Sequence, residues 1–231
     1  MSRADLGKDP EEVSSMFDGV ARRYDLVNDL LSLGQTKRWR KKVQTIINPT
    51  TGMTILDIAA GPGSSSEPLH KAGADVTSLD FSEGMLAQGR KARPYLTFVK
   101  GDALNLPFDD NQFDVTTISF GLRNTHDFKK ALKEALRVTK VGGRMVIVEF
   151  STPTFAPFRI IYMNYLMKAL PKLAKRTSSN PSAYVYLAES IRAWPTQEQL
   201  AAEMTAAGWR NPSWVNLTGG VVAVHTAIKG S

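Results

Sequence analysis

The segment that most constrains this chain is Thr54-Ile55-Leu56-Asp57-Ile58-Ala59-Ala60-Gly61-Pro62-Gly63, followed by a second apolar run that closes on Leu79-Asp80. An apolar run ending in small residues reads as a buried strand, a tight loop and a helix start. The second run reads as a strand with an acid at its carboxyl end. In a doubly wound sheet this arrangement holds a nucleoside: the loop backbone passes close to the ligand, and the acid accepts from ribose hydroxyls. The dinucleotide fingerprint itself fails, because the third glycine position after Gly61 and Gly63 is Ser66. A pyrophosphate ligand is therefore not expected.

The rest of the chain alternates in the same style. Candidate strands cover 53–59, 75–80, 96–100, 113–119 and 144–150, with helical segments at 64–72, 83–92 and 126–139 between them. Gly52, Gly73 and Gly142-Gly143 punctuate the turns. Strands separated by helices at this rhythm imply a parallel sheet with right-handed crossovers. Two further strand-like runs, Trp209 to Leu217 and Val221 to Lys229, are joined by Thr218-Gly219-Gly220 and read as a hairpin. The total is seven strands, the last antiparallel to its neighbours. Ahead of the sheet, Val13, Met16, Phe17, Val20, Tyr24, Val27, Leu30 and Leu31 recur at helical steps over 11–33. A second helix is expected over 37–47, ending at Asn48-Pro49.

At 231 residues with 42% apolar content, one domain with a full core is expected. It divides into an N-terminal helical lid (1–50), a ligand-binding core (51–150), a helical insertion (151–208) and the terminal hairpin (209–231). The absence of cysteine removes disulfides and thiolate chemistry. The three histidines, His70, His126 and His225, have no ligand spacing, so no metal is expected. The first residues carry no apolar core and do not read as a signal peptide, and no stretch has the uncharged length of a membrane span. These features are compatible with a reducing cytoplasm, and a cytoplasmic protein is the expectation.

The net charge of +7 permits attraction to nucleic acid, anionic lipid or acidic substrates. Much of the excess lies in Lys37-Arg38-Trp39-Arg40-Lys41-Lys42 and in Lys168, Lys172, Lys175 and Arg176. Solvated helix faces explain either cluster alone. Together, beside apolar residues, they suggest transient contact with the inner face of a membrane. The insertion's first helix, starting near Pro157, places Lys168, Lys172 and Lys175 on one face with Asn164 and sets Phe158, Tyr162, Met163 and Leu166 opposite. No recognisable RNA-binding module is present, and no nucleic-acid partner is expected.

The loop Asp57-x-Ala59-x-Gly61-x-Gly63 resembles the cofactor loop of the class I S-adenosylmethionine-dependent methyltransferases, which have a Rossmann-like seven-stranded sheet. On that reading Gly61 and Gly63 admit the methionine portion of the cofactor, where a side chain would clash. Asp80 accepts from the ribose, with Ser82 the better helix N-cap. Asp57 orders the loop or meets the cofactor's amino group. Asp102, in Gly101-Asp102-Ala103 after the third strand, accepts from the adenine amino group while the Ala103 amide meets a ring nitrogen. Ser119 closes the fourth strand and faces the same crevice.

The segment Thr117-Ile118-Ser119-Phe120-Gly121-Leu122-Arg123-Asn124 is more selective. It resembles the menaquinone/ubiquinone-pathway C-methyltransferases, which methylate a prenylated quinol ring. The resemblance continues in Met16-Phe17-Asp18, Ala21-x-x-Tyr24-Asp25, Asn28-Asp29-x-Leu31-Ser32-x-Gly34 and Trp39-Arg40. It extends through Arg137-Val138, Gly142-Gly143-Arg144, Glu149-Phe150-Ser151, Tyr184-x-Tyr186-Leu187-x-x-Ser190-Ile191 and Asn216-Leu217-Thr218-Gly219-Gly220, and so spans nearly the whole chain. It implies C-methylation of demethylmenaquinol, the last step of menaquinone formation, with Arg123 and Asn124 orienting the quinol oxygen and stabilising its charge. The compact length and the 184–191 segment favour the naphthoquinol branch. Phe17, Tyr24, Trp39, Tyr184 and Tyr186 are candidates for walls of the ring site, though each also fits a core position. Burial of a polyprenyl tail would contribute about 0.8 kcal/mol per methylene.

One residue departs from the family pattern. Members commonly carry a hydroxyl residue between the two loop glycines, whereas Pro62 has neither hydroxyl nor N–H and is only a lining position. The competing readings are a ubiquinone-pathway benzoquinol methyltransferase, another small-molecule methyltransferase and, from a different class, an RNA-binding protein. The last would show affinity that falls steeply with salt.

Overall fold

The computed structural model describes residues 34–169 and 181–231. Seven strands form a single sheet in the order β3-β2-β1-β4-β5-β7-β6. The strands are β1 (Thr54–Ile58), β2 (Asp75–Asp80), β3 (Thr97–Lys100), β4 (Phe113–Ser119), β5 (Thr139–Phe150), β6 (Trp209–Leu217) and β7 (Val222–Lys229). The first five run parallel. β7 inserts antiparallel between β5 and β6. The chain order reverses direction at β1, next to β4, and in such sheets a ligand crevice opens outside the strand ends at that point.

Around the sheet lie α1 (Thr36–Ile47), α2 (Ser66–Lys71), α3 (Glu83–Ala92), α4 (Phe128–Val138), α5 (Ala156–Asn164), α6 (Pro181–Ala193) and α7 (Gln197–Ala206). A short π-helical turn, Tyr165–Ala169, follows α5. Side-chain alternation along the strands builds two cores. Leu56 and Ile58 of β1 and Met145 and Ile147 of β5 face α4 and α7 with Leu132, Trp194 and Trp209. Ile55, Val146 and Val148 point to the other face, where Trp39 and Ile47 of α1 cover them.

The helix ends follow local chemistry. α1 stops at Asn48, which takes the left-handed conformation at φ 45° ahead of Pro49. α3 begins at Ser82, whose hydroxyl accepts from the Met85 amide at 3.1 Å. α4 begins two residues later than the sequence pattern suggests, because Asp127 caps it by accepting from the Lys130 amide at 2.9 Å. His126 therefore precedes the helix, exposed. α7 opens with a full capping box from Thr196 and Gln199. In the insertion, α5 carries Pro157 in its first turn.

One expected turn is corrected. Gly142-Gly143 lies inside β5, which begins at Thr139 rather than at 144. The register against β4 shifts between Phe113 and Val115, and Gly142 sits at φ 78°, a conformation that only glycine adopts readily. The expected helix over 11–33, Phe17 and Tyr24 fall outside the described residues, as do Lys172, Lys175 and Arg176. Tyr184 lies on α6, and its side chain is not described.

Candidate active site

The loop leaving β1 is bent through three left-handed residues, Ala59 (φ 54°), Gly61 (φ 56°) and Gly63 (φ 83°). Gly61 and Gly63 adopt that region freely, and only Ala59 needs surrounding contacts to hold it there. The Ala60 amide bonds to the Leu79 carbonyl at 3.0 Å, and the Gly63 amide to the Ala60 carbonyl at 3.0 Å. The Gly61 amide donates to Asp80 Oδ2 at 2.7 Å. Gly63 also marks a close approach: a Cβ there would lie 2.9 Å from Phe98 Cζ.

Asp57 is fully buried under this loop. Its Oδ2 accepts from the hydroxyls of Ser65 at 2.7 Å and Ser66 at 2.6 Å. Ser66 is in turn donated to by Ser78 of β2 at 2.8 Å. The other oxygen, Oδ1, is buried without a partner. Burial pushes the Asp57 carboxyl up to about 6; the two serine hydroxyls oppose that shift and the nearby Asp80 charge adds to it. A buried carboxylate oxygen with an open valence below a glycine loop is the acceptor that an ammonium-bearing ligand needs.

Asp80 stands at the carboxyl end of β2, half-buried, with Oδ1 accepting from the Ser82 amide at 2.9 Å. Both of its oxygens thus hold backbone amides, which fixes the carboxylate at the mouth of the crevice. Asp102 follows β3 and accepts from the Leu104 amide at 2.9 Å, folding the turn that carries Ala103. The loop glycines, the orphaned Asp57 oxygen and the acids after β2 and β3 fit S-adenosylmethionine along the carboxyl edge of the sheet.

Next to the loop is a cavity open to solvent. Ala59, Ala60, Ser64 and Ser65 form its floor, and Pro68 and Leu69 of α2 one side. Thr36, Trp39, Arg40, Val43 and Gln44 of α1 make the opposite wall. Ser119, Phe120, Val148 and Phe150 close it from the ends of β4 and β5. Three of these side chains form an aromatic cluster. The Phe120 and Phe150 rings are 5.0 Å apart, and Trp39 lies 6.1 Å from the first and 6.4 Å from the second. The indole is pinned by Nε1 donating to Thr218 Oγ1 at 2.9 Å. Phe120 is itself left-handed at φ 58°, which turns its ring out of the β4 line.

Arg123 and Asn124 occupy the short 3-10 turn after β4, Leu122–Asn124. Arg123 is buried and does not line the cavity. Its Nη1 donates to Glu149 Oε1 at 2.6 Å and to the Phe120 carbonyl at 3.0 Å. The guanidinium carbon lies 5.2 Å from the centre of the Phe150 ring, so the cationic half of a buried ion pair sits behind one wall of the cavity. Arg123 Nε is buried with no partner. Asn124 donates to the Phe120 carbonyl at 3.3 Å and accepts from the Tyr186 hydroxyl at 3.2 Å. Tyr186 is buried in α6 and serves this turn rather than the cavity wall.

Sequence reasoning named the loop, its acids and Trp39, and it missed the parts built by long-range pairing. Glu149 is the main one. Its signal was a single carboxylate in the apolar run Met145 to Phe150, which a buried strand tolerates only beside a cation. Gly121 is another: a Cβ there would lie 2.5 Å from the Ala59 Cβ, so the β1 and β4 loops touch only because it has no side chain. Among the described residues no group of three or more metal-ligating side chains converges. No described helix is long and apolar enough to cross a membrane.

Comparison with known proteins bears on the same elements. The ubiE/COQ5 methyltransferase family model matches residues 5–229. The demethylmenaquinone methyltransferase of Renibacterium salmoninarum is 59% identical over 229 residues, 99% of this chain and 97% of the relative. That of Streptomyces avermitilis is 58% identical over 99% of each chain. The solved structure of a SAM-dependent methyltransferase from Thermotoga maritima superposes with a TM-score of 0.67 at 21% identity, covering 93% of this chain and 99% of that one, which shows a common fold. Because the family match runs almost end to end through loop, crevice and hairpin alike, the chain belongs to the ubiE/COQ5 methyltransferase family.

Proposed function

We propose that this protein methylates a ring carbon of demethylmenaquinol, using S-adenosylmethionine and yielding menaquinol and S-adenosylhomocysteine. The observation that carries the reading is the shared cavity: one floor is the cofactor loop, and the facing walls are the aromatic cluster of Trp39, Phe120 and Phe150. A flat bicyclic ring can stack against this aromatic wall, and the apolar side chains beside it suit a prenyl tail. The full-length relatives named above support the naphthoquinol over other rings.

Asp57, Ala59, Gly61, Pro62, Gly63, Asp80, Asp102, Ala103 and Ser119 are the residues assigned to the cofactor. Bound there, S-adenosylmethionine supplies an electrophilic methyl group on a sulfonium centre. The chain's own task is to hold the electron-rich ring in line with that methyl and keep water out. Arg123, anchored by Glu149, stabilises negative charge developing on the quinol oxygen through the local field, and Asn124 holds the turn in register. Phe17, Tyr24 and Tyr184 are carried as further ring-site candidates, and the 1–50 segment as the lid over the cavity.

Membrane contact is part of the reading. Lys37, Arg38, Lys41 and Lys42 are exposed on α1, a helix without an acid, and Phe155, Ile160 and Ile161 are exposed on or beside α5. These features suit transient docking on an anionic bilayer that holds the lipid substrate. Sedimentation with anionic but not neutral vesicles, lost at high salt, checks that part alone.

The test of the reaction is methyl-labelled S-adenosylmethionine incubated with the protein and demethylmenaquinol, with a short-chain demethoxylated benzoquinol alongside. Label in the naphthoquinone extract is the expected result. Label in neither, with S-adenosylhomocysteine still bound by calorimetry, would overturn the quinol assignment and leave the methyltransferase family.

A further inference from the structure

Pro62 has no N–H, so its carbonyl is its sole backbone hydrogen-bonding group. That oxygen accepts from Arg93 Nη1 at 3.0 Å. The same guanidinium donates through Nε to Glu67 Oε2 at 2.8 Å. Glu67 stands in the first turn of α2, and its own amide bonds to the Gly63 carbonyl at 3.0 Å. Its second oxygen accepts from the Lys71 ammonium at 2.7 Å and the Tyr95 hydroxyl at 2.6 Å.

Arg93 is itself held at the end of α3, where its amide donates to the Gly89 carbonyl at 2.7 Å. Behind both lies the Phe98 ring, which a Cβ on Gly89 would approach to 2.6 Å. The outer side of Gly61-Pro62-Gly63 thus rests on a packed surface and is tied to it by one forked cation. The inner side carries the Asp80 contact and covers Asp57.

We propose that Arg93, braced by Glu67, is a positioning residue for the cofactor: it latches the loop from outside so that its ligand-facing backbone is set before the cofactor arrives. The proposal rests on the cofactor reading given above and names the device that serves it. Gly61 and Gly63 cost more conformational entropy to order than other residues, and a loop ordered in advance binds at lower cost. Arg93 reaches the loop through the Pro62 carbonyl and through Glu67 at the start of α2. Its planar fork reaches two acceptors at once, which a lysine ammonium does not reproduce.

The experiment uses the full chain and S-adenosylhomocysteine. In Arg93→Ala, calorimetry should show a dissociation constant raised about tenfold, the range expected from losing charge-assisted hydrogen bonds. The KM for S-adenosylmethionine should rise in step while the quinol KM and kcat stay within about twofold. Hydrogen exchange in the cofactor-free protein should quicken at 61–67 and not across the sheet. Arg93→Lys should fall between, and Glu67→Gln should weaken binding less, since the Pro62 contact survives. Unchanged affinity and unchanged exchange at 61–67 in Arg93→Ala would overturn the proposal. If that variant does not fold, Arg93→Lys and Glu67→Gln decide: weakened binding with faster loop exchange supports it, and wild-type behaviour in both overturns it. A wild-type protein that does not bind S-adenosylhomocysteine would sink the cofactor reading itself, a distinct failure.

Discussion

Asp57 carries the clearest single-residue chemistry. Burial holds its carboxyl near 6, above its ordinary value of 3.8, so the fold favours the protonated acid. Stability of this origin is fully present below about pH 4 and is lost as the pH rises through about 6, in total roughly 3 kcal/mol for a shift of this size. Other carboxylates with lowered values, such as Glu67 and Glu134, change stability in the opposite sense. The difference between wild type and Asp57→Asn in denaturant titrations across pH 4 to 7 isolates the effect: it should shrink or reverse as the pH rises. A cationic ligand on the open oxygen reverses the preference. S-adenosylhomocysteine binding should therefore weaken below about pH 6 in wild type and lose that dependence in Asp57→Asn. Glu149 is the other residue with a sharp prediction. Glu149→Ala leaves the Arg123 guanidinium buried beside Phe150 with no counter-charge, a change expected to cost about 3–5 kcal/mol and readable as a lower unfolding midpoint in urea.

At the scale of elements, the meeting of the β1 and β4 loops sets the crevice. Gly121 has φ −109°, which any residue can adopt, so its requirement is contact alone. Gly121→Ala would drive a methyl into Ala59, costing about 1–3 kcal/mol and displacing the cofactor loop, with lower affinity for S-adenosylhomocysteine as the readout. α7 offers a contrasting prediction. Thr196→Ala removes half of a capping box that does not line the cavity and should lower stability by about 1 kcal/mol in denaturant titrations with turnover unchanged. The same elements show what was legible beforehand. β1, β2 and β4 were readable because each is an apolar run bounded by turn residues, and α1 because Trp39, Val43 and Ile47 share a face. β5 was read short because its first residues surround two glycines, and glycines mark turns in sequence; the pairing with β4 carries them through. The start of α4 was misplaced because His126 and Asp127 both tolerate the capping position, and only the Lys130 contact chooses between them.

For the whole molecule, the parallel sheet with a terminal antiparallel hairpin brings every cofactor candidate to one edge, which local pattern and strand order together made foreseeable. Less foreseeable was the other half of the cavity. Its walls come from α1, β4 and β5, joined by contacts such as Trp39 to Thr218 that span most of the chain. Nothing near Trp39 in sequence distinguishes a residue that walls a cavity from one that fills a core; here it does both. The central claim is that this cavity brings the quinol ring against the cofactor loop. The measurement that tests it most directly is a crystal structure of the protein with S-adenosylhomocysteine and a short-chain demethylmenaquinone. The account predicts the nucleoside at Asp80 and Asp102, the amino group at Asp57, and the ring held against Trp39, Phe120 and Phe150. A naphthoquinone ring bound elsewhere, with that cavity left to solvent, would contradict it.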